Sequence, residues 1–222
     1  MISALRRCYW ITRSIIQGKW GMASYQLSMW RQGVDLRGVS VKDLGFTEDR
    51  SNWYSDSGGP ALARVLKQLP ISTSDEAIDI GCGKGGAILT LQRFPFARVD
   101  GIELSNSLAQ TARDNLRVMH VMNSEIFCGD AAHFTELDRY TFFYLYNPFS
   151  TQVMCETIKH ICESLARRRR RAMLIYKNPV DHDLLIEVGF QLVSEFPSGD
   201  RNPFFVYVID PLSGRSTAAV TI

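Results

Sequence analysis

The chain has 222 residues, of which 45% are hydrophobic and 22% are charged. This is an ordinary composition for a globular domain that can bury a full core. The net charge of +2 favours no class of partner, and no stretch reaches the roughly 18 apolar residues of a membrane span. The five cysteines are scattered without a C-x-x-C pair. This pattern argues against a disulfide framework or zinc site and is typical of reduced thiols in a cytoplasmic protein. We predict no metal site.

The N-terminal region combines cationic and tryptophan side chains before the first acidic residue. These are Arg6, Arg7, Trp10, Arg13, Lys19, Trp20, Trp30 and Arg31. One interpretation is a basic amphipathic helix that touches an anionic membrane surface or an acidic partner. The interpretation that we favour is a helical arm whose aromatic side packs on the domain. We therefore predict that residues 1–56 form a helical and loop extension that caps the site.

The most informative segment is AIDIGCGKGG, residues Ala77–Gly86. A helix precedes it, starting near Pro60, because proline is favoured at the first helical positions. Ala77–Ile80 fit a buried strand, a glycine-rich turn follows, and Ala87–Phe94 carry helix-type spacing. Glycines let the backbone come into contact with a ligand. The turn would lie at the carboxyl end of a strand, where open α/β sheets bind their ligands.

From this strand onward, strands and helices alternate, which predicts a parallel sheet with helices on both faces. Further strands are predicted over residues 97–104, 124–130, 141–146, 172–176, 191–196 and 204–210. The loop between the last two is too short for a crossover helix, so that pair must be antiparallel. We predict one α/β domain over residues 57–222. It would contain a Rossmann-like sheet of seven strands, mostly parallel with an antiparallel last strand.

The glycines alone leave two kinds of nucleotide open. Gly81, Gly83 and Gly86 satisfy the dinucleotide spacing G-x-G-x-x-G, and Glu103 lies at the expected distance beyond them. However, Asp79 lies just before the first glycine of the turn, where a dinucleotide site needs no carboxylate and where it would repel a pyrophosphate. A carboxylate there suits a ligand that carries a positive charge and an amino group.

The D-x-G-x-G-x-G string that starts at Asp79 resembles motif I of the class I S-adenosylmethionine-dependent methyltransferases. A largely uncharacterised bacterial group within that superfamily is similar over roughly residues 33–179. The shared features are Trp53-Tyr54, the Pro60 helix, the glycine turn, and Pro95-Phe96 leading to Gly101-Ile102-Glu103. That group often has arginine where this chain has Gly86. The resemblance implies the fold of that superfamily and S-adenosylmethionine as the cofactor.

The resemblance also implies roles for the residues at the strand ends. Asp79 would face the methionine amino group, and Glu103 would accept hydrogen bonds from both ribose hydroxyls. Asp130 would accept from the adenine amino group, or it would simply cap the next helix. The predicted cofactor-binding residues are Asp79, Gly81, Cys82, Gly83, Lys84, Gly85, Glu103, Leu104, Asp130 and Ala131.

Two of these residues have a competing interpretation. Lys84 would reach the methionine carboxylate, although a loop lysine is usually just solvated. Cys82 is interpreted as a small filler within the turn.

The string YLYNPFS, Tyr144–Ser150, occupies the place of motif IV. Many amine-modifying members carry N-P-P-F there, and this chain is one proline short, so the departure leaves nitrogen specificity open. Asn147, Pro148 and Phe149 are predicted to line the acceptor pocket; the competing interpretation is a strand-ending turn. Tyr54 is predicted to close over the cofactor, and the competing interpretation is an ordinary packing role. These four residues form the predicted catalytic set.

The resulting prediction is a cytoplasmic bacterial enzyme that transfers a methyl group to an unidentified N or O acceptor. The alternatives are an NAD(P)-dependent oxidoreductase and a non-catalytic binding or regulatory protein of the same fold. Five consecutive arginines, Arg167–Arg171, fit a solvated helix end, where cations are favoured. The alternative for them is contact with an anionic acceptor. No strong nucleic-acid signal accompanies them, because interleaved aromatic residues are missing.

Overall fold

A computed structural model describes residues 20–39, 55–146, 150–199 and 201–211. In these residues the strands are β1 (Glu76–Ile80), β2 (Arg98–Glu103), β3 (Ile126–Cys128), β4 (Phe142–Tyr146), β5 (Ala172–Lys177), β6 (Gln191–Phe196) and β7 (Phe204–Ile209). The helices are α1 (Trp20–Arg31), α2 (Pro60–Leu66), α3 (Gly86–Leu91), α4 (Asn106–Val118), α5 (Thr151–Arg167) and α6 (His182–Glu187), with a short 3-10 helix at Ala131–His133. Among them, no helix is long and apolar enough to cross a membrane.

The strands form one sheet in the order β3-β2-β1-β4-β5-β7-β6. β7 runs antiparallel to both of its neighbours, whereas the pairs formed by β1 to β5 are parallel. The predicted α/β sheet of seven strands with an antiparallel final strand is confirmed. The strand order reverses between β1 and β4, and a crevice therefore opens beyond their carboxyl ends.

The two faces of the sheet carry separate cores because side chains alternate along each strand. Ala77, Phe142 and Ile175 belong to a first core, which also contains buried residues of α1 to α4. Ile78 and Leu145 belong to a second core with buried residues of α5 and α6. The polar side chains of the strands that point to the first face are therefore covered by the N-terminal half of the chain.

Helix α1 packs on the first face through a narrow stripe. Its buried residues are Ala23, Tyr25 and Met29, whereas Trp20 and Trp30 are 68% and 42% exposed. The expectation that the tryptophans pack on the domain is wrong for these two, because helical geometry turns them away from the stripe at positions 25 and 29. Trp10 lies outside the described residues.

The arginine run lies at the edge of the sheet opposite the crevice, where α5 ends and β5 begins. Arg170 donates to the carbonyl oxygens of Leu137, Tyr140 and Ser164. Arg167 pairs with Asp138 at 2.8 Å. Two of the five arginines thus stabilise the end of a helix and the loop beside it, as expected for cations at that position.

The segment from residue 55 to residue 59 lies directly against the first turn of α3. A Cβ atom at Gly58 would stand 2.2 Å from the carbonyl oxygen of Gly86, and one at Gly86 would stand 1.9 Å from Asp56 Oδ1. The Gly59 N–H also donates to Thr90 Oγ1 at 2.7 Å. These contacts give a steric reason for glycine at position 86.

We expect Gly58→Ala to lower the free energy of unfolding by about 1–3 kcal/mol, since its methyl group would overlap backbone atoms of Gly86. Urea denaturation measures this loss. Gly129→Ala is the matched control, because nothing lies within 4 Å of a Cβ there and neither glycine has a positive φ. The control should change stability by less than about 0.5 kcal/mol. Equal losses in the two variants would contradict the proposed overlap.

Candidate functional site

The glycine turn after β1 adopts a conformation that needs glycine at three positions. Gly81, Gly83 and Gly85 have φ values of 80°, 54° and 80°. Both the Gly81 and the Cys82 N–H groups donate to the Ile102 carbonyl oxygen at 2.9 Å. The turn is therefore tied to the neighbouring strand and presents bare backbone at the crevice.

Cys82 is buried beneath this turn. A Cβ atom added at Gly101 of β2 would stand 2.7 Å from its sulfur, so the thiol fills the space that the missing side chain leaves. Burial raises the pKa of the Cys82 thiol well above its usual range. A neutral, small side chain at this point lets the turn approach β2 closely.

Glu103 ends β2 and is only 8% exposed. Its Oε2 accepts the Gly83 N–H and its Oε1 accepts the Ser105 N–H, both at 2.8 Å. Burial raises the pKa of this carboxyl, and the backbone hydrogen bonds oppose that shift. A carboxylate offers about four acceptor positions. Each oxygen of Glu103 therefore keeps capacity for a further donor in the crevice.

Asp79 lies on the first face of the sheet, beside Gly101 of β2 and Tyr144 of β4 in the strand register. It is 3% exposed, and its side chain accepts no hydrogen bond from the described residues. Burial raises the pKa of Asp79 well above its usual range, and the charges of Glu103 and Asp56 raise it further. Asp79 is thus a buried acid among other acids.

Asp56 is a site residue that the sequence reasoning missed. Its Oδ1 accepts the Gly58 N–H at 2.9 Å, while its Oδ2 is buried with no hydrogen-bond partner. Burial raises the pKa of Asp56 to about 6, although the charge of Lys177 acts in the opposite direction. The D-S-G sequence signals a local turn. It does not signal that this turn lies over the first turn of α3.

Lys84 contributes to the site differently from either prediction. Its ammonium lies 3.3 Å from Asp35 Oδ2, and its side chain is 6% exposed, so the prediction of a solvated loop lysine is wrong. Burial lowers the pKa of Lys84, and the Asp35 charge opposes this. Asp35 also binds Arg37 through both carboxylate oxygens. The pairing directs the Lys84 charge toward the N-terminal segment.

Asn115 of α4 joins that N-terminal segment to the turn. Its side-chain amide donates to the Lys84 and Asp35 carbonyl oxygens at 2.9 and 3.0 Å, and its oxygen accepts the Asp35 N–H at 2.8 Å. Asn115 is 3% exposed. Asn115 and Asp35 were not identified from the sequence, because their roles depend on contacts between distant parts of the chain.

The remaining predicted cofactor residues follow β2 and β3. Asp130 Oδ1 accepts the Ala132 N–H at 2.9 Å and caps the short 3-10 helix, as the alternative interpretation expected. Its Oδ2 lies 3.6 Å from His133 Nδ1. Ala131 is buried in the second core, and Leu104 is partly exposed after Glu103. Strand pairing places these residues on the crevice side of the sheet.

The predicted catalytic residues Tyr54, Asn147, Pro148 and Phe149 lie outside the described residues. The strand end that precedes the last three is described: the Lys177 ammonium lies 4.3 Å from the centre of the Tyr146 ring. Lys177 ends β5 and is 4% exposed. In the described part of the chain, no three His, Cys, Asp or Glu side chains are grouped to hold a metal ion.

The pKa of Asp56 predicts a pH effect on the ligand-free protein. Because the folded-state pKa of about 6 exceeds the ordinary value of 3.8, the stabilisation from protonated Asp56 is full below pH 4 and is lost as the pH rises through 6. We therefore expect Asp56→Asn to stabilise the protein more at pH 7.5 than at pH 4.5. Urea denaturation at both pH values measures the difference.

Asp114→Asn is the control for this comparison, because Asp114 is half-exposed and pairs with Arg117 on α4. Its effect should change little over the same pH range. If the free energies of unfolding of Asp56→Asn and the unsubstituted protein differed by the same amount at both pH values, Asp56 would not titrate as expected.

Comparison with known proteins places this site in a family context. Residues 77–170 match a family model described as a methyltransferase domain. A trans-aconitate 2-methyltransferase from Paracidovorax citrulli is 36% identical over 74 residues, which is 33% of this chain and 28% of that protein. The chain thus matches little more than a quarter of that relative's length.

Solved structures resemble the whole sheet. An RNA methyltransferase from Salinibacter ruber, in complex with S-adenosyl-L-homocysteine, aligns with a TM-score of 0.54 and 17% identity, covering 71% of this chain and 95% of that one. Phosphoethanolamine N-methyltransferase 1 from Haemonchus contortus aligns with a TM-score of 0.57 and 15% identity, and the alignment covers 72% of this chain and 44% of that one. Residues 77–170 therefore match a methyltransferase domain, and the sheet has the fold of solved methyltransferase structures, in agreement with the resemblance noted from the sequence.

Proposed function

We propose that this protein is an S-adenosylmethionine-dependent methyltransferase acting on an N or O acceptor. The observation that carries this proposal is the group of buried carboxylates at the crevice, where Glu103 and Asp56 both raise the pKa of Asp79. Such a site favours a ligand with positive charge, and S-adenosylmethionine carries a sulfonium and an ammonium group. The same carboxylates would repel the pyrophosphate of NAD(P), which counts against the oxidoreductase alternative.

The geometry of individual residues fits this cofactor. The free acceptor capacity on both oxygens of Glu103 suits the two hydroxyls of a ribose. Asp79 offers an unoccupied carboxylate for the amino group, and the Asp130 oxygen that does not cap the 3-10 helix is available for adenine. Lys84 is less well placed for the methionine carboxylate, since Asp35 holds its charge.

The chemistry needs positioning more than acid–base groups. The cofactor supplies a methyl group on a positively charged sulfur, which an acceptor lone pair can displace directly. The task of the chain is to hold the acceptor in line with that bond and to exclude water. We assign this to Asn147, Pro148, Phe149 and Tyr54, with residues 1–56 as the cap; the contacts of Asp56 and Asp35 with the turn support such a cap.

We further propose an anionic acceptor. The support is Lys177, a buried cation at the end of β5, beside the strand that leads into Asn147. Two similar proteins are named for acceptors with carboxylate or phosphate groups, trans-aconitate and phosphoethanolamine. The arginine run supports this less, because it lies at the opposite edge of the sheet. The scattered cysteines support a cytoplasmic location.

Calorimetry tests the cofactor. We expect binding of S-adenosylhomocysteine and no binding of NADH. Glu103→Gln should weaken S-adenosylhomocysteine roughly ten- to hundredfold, since one accepting oxygen becomes a donor facing ribose hydroxyls and backbone N–H groups. Asp114→Asn, on the outer surface of α4, should leave the affinity unchanged. Binding of NADH alone would overturn the proposal.

Transfer of a labelled methyl group distinguishes an enzyme from a non-catalytic protein of this fold. Incubation with labelled cofactor and a cell extract should label a product that anion exchange retains. Asn147→Ala should reduce labelling at least about tenfold while S-adenosylhomocysteine still binds, because it disturbs acceptor positioning. Retention of the biological role by Asn147→Ala would favour the non-catalytic alternative instead.

A further inference from the structure

The described residues contain three buried side-chain polar atoms without a hydrogen-bond partner. They are Tyr25 Oη, Asp56 Oδ2 and Tyr144 Oη. Asp56 and Tyr25 both border the segment of residues 55–59, since a Cβ atom at Gly86 would stand 1.9 Å from Asp56 Oδ1 and one at Gly59 would stand 2.8 Å from the Tyr25 ring. The charge of Asp56 also raises the pKa of both tyrosines. Unpaired buried polar atoms are rare and costly in proteins, so a group of them calls for a missing partner.

Other buried carboxylates of this chain show what a purely structural role looks like. Asp100 accepts hydrogen bonds from Arg98, Tyr140 and the Glu125 N–H. Asp181 accepts from Thr151 and Tyr176. Both oxygens of each are occupied within the protein. Asp56 differs, because only its Oδ1 is occupied.

The strand register brings Asp56 into the neighbourhood of the cofactor crevice. Tyr144 of β4 is paired with Asp79 of β1, and both side chains are on the first face of the sheet. Asp56 lies against Gly86, at the start of the helix that follows the glycine turn after Asp79. Its charge raises the pKa of Asp79 and of Tyr144. The Ser57 side chain also lies beside the Tyr144 hydroxyl and lowers its pKa, so the segment that carries Asp56 reaches this pair.

We propose that Asp56 Oδ2 and the Tyr144 hydroxyl, together with Asp79, bind the ammonium group of the cofactor's amino-acid portion. This inference rests on the proposed function and adds two residues to that site. An ammonium group has three N–H donors, and Asp56 Oδ2, the Tyr144 hydroxyl and the buried Asp79 carboxyl can each accept one of them. A positive ligand also reduces the repulsion between Asp56 and Asp79, which Lys177 only partly offsets.

The experiment compares two ligands that differ at the proposed contact. S-adenosylhomocysteine carries an ammonium and a carboxylate group on its amino-acid portion, and 5′-methylthioadenosine has the same adenosine thioether with a methyl group in place of that whole portion. Loss of an acidic side chain would not weaken binding of the carboxylate, so a selective loss of affinity reports on the ammonium group. Calorimetry at pH 7.5 gives the affinity of each ligand for the full chain and for three variants. The variants are Asp56→Asn, Tyr144→Phe and the surface control Asp114→Asn.

We expect Asp56→Asn to weaken S-adenosylhomocysteine roughly ten- to hundredfold, the range for a hydrogen bond to a charged group. Tyr144→Phe should weaken it about three- to tenfold. Neither substitution should change the affinity for 5′-methylthioadenosine by more than about twofold. Asp114→Asn should leave the affinity for both ligands unchanged. Because Asp56→Asn is expected to stabilise the ligand-free fold at this pH, unfolding would not explain the loss.

Other outcomes overturn the inference. Equal losses for both ligands would show that Asp56 and Tyr144 only shape the crevice, and unchanged affinities would show that neither side chain contacts the ammonium group. If Asp56→Asn did not fold, the Tyr144→Phe result would decide alone. Failure of the unsubstituted protein to bind S-adenosylhomocysteine would instead reject the proposed function.

Discussion

The site depends on one contact between two pieces of backbone, Gly58 against the carbonyl group of Gly86. Because neither residue has a side chain, the segment of residues 55–59 lies low over the first turn of α3. This closeness brings the Asp56 carboxylate near enough for its charge to raise the pKa of Asp79. Any larger residue at either glycine would move the segment outward and separate the two acids. The electrostatic character of the crevice therefore follows from a steric constraint.

Burying several acids together is unfavourable for the empty protein. The raised pKa values of Asp79, Asp56 and Glu103 express this, since each carboxyl resists ionising where it stands. A cationic ligand that binds only the folded state would recover that free energy on binding. Local instability of the empty crevice and selectivity for a positive nucleotide are thus two aspects of one arrangement, a common relation at functional sites.

Much of the fold and the position of the crevice could be predicted from the sequence, because both follow from local patterns. The strand–turn–helix pattern around Asp79 located the crevice, and the short loop before β7 gave the antiparallel pair. The roles that the sequence did not predict depend on contacts between distant parts of the chain. Lys84 follows a loop pattern, yet Asp35 makes it a buried partner. Asp56 has the local signature of a turn, and only the packing of α3 gives it a place in the site.

Asn115 has a consequence beyond holding the turn in shape. A single buried amide satisfies the backbone of Asp35 and of Lys84, so neither segment can move away without leaving a polar group unpaired. Movements of the segment around Asp35 and of the glycine turn after β1 are therefore coupled. A ligand that orders the glycine turn would also order the Asp35 segment. By reciprocity, a partner that binds the Asp35 segment would raise the affinity of the turn for its ligand.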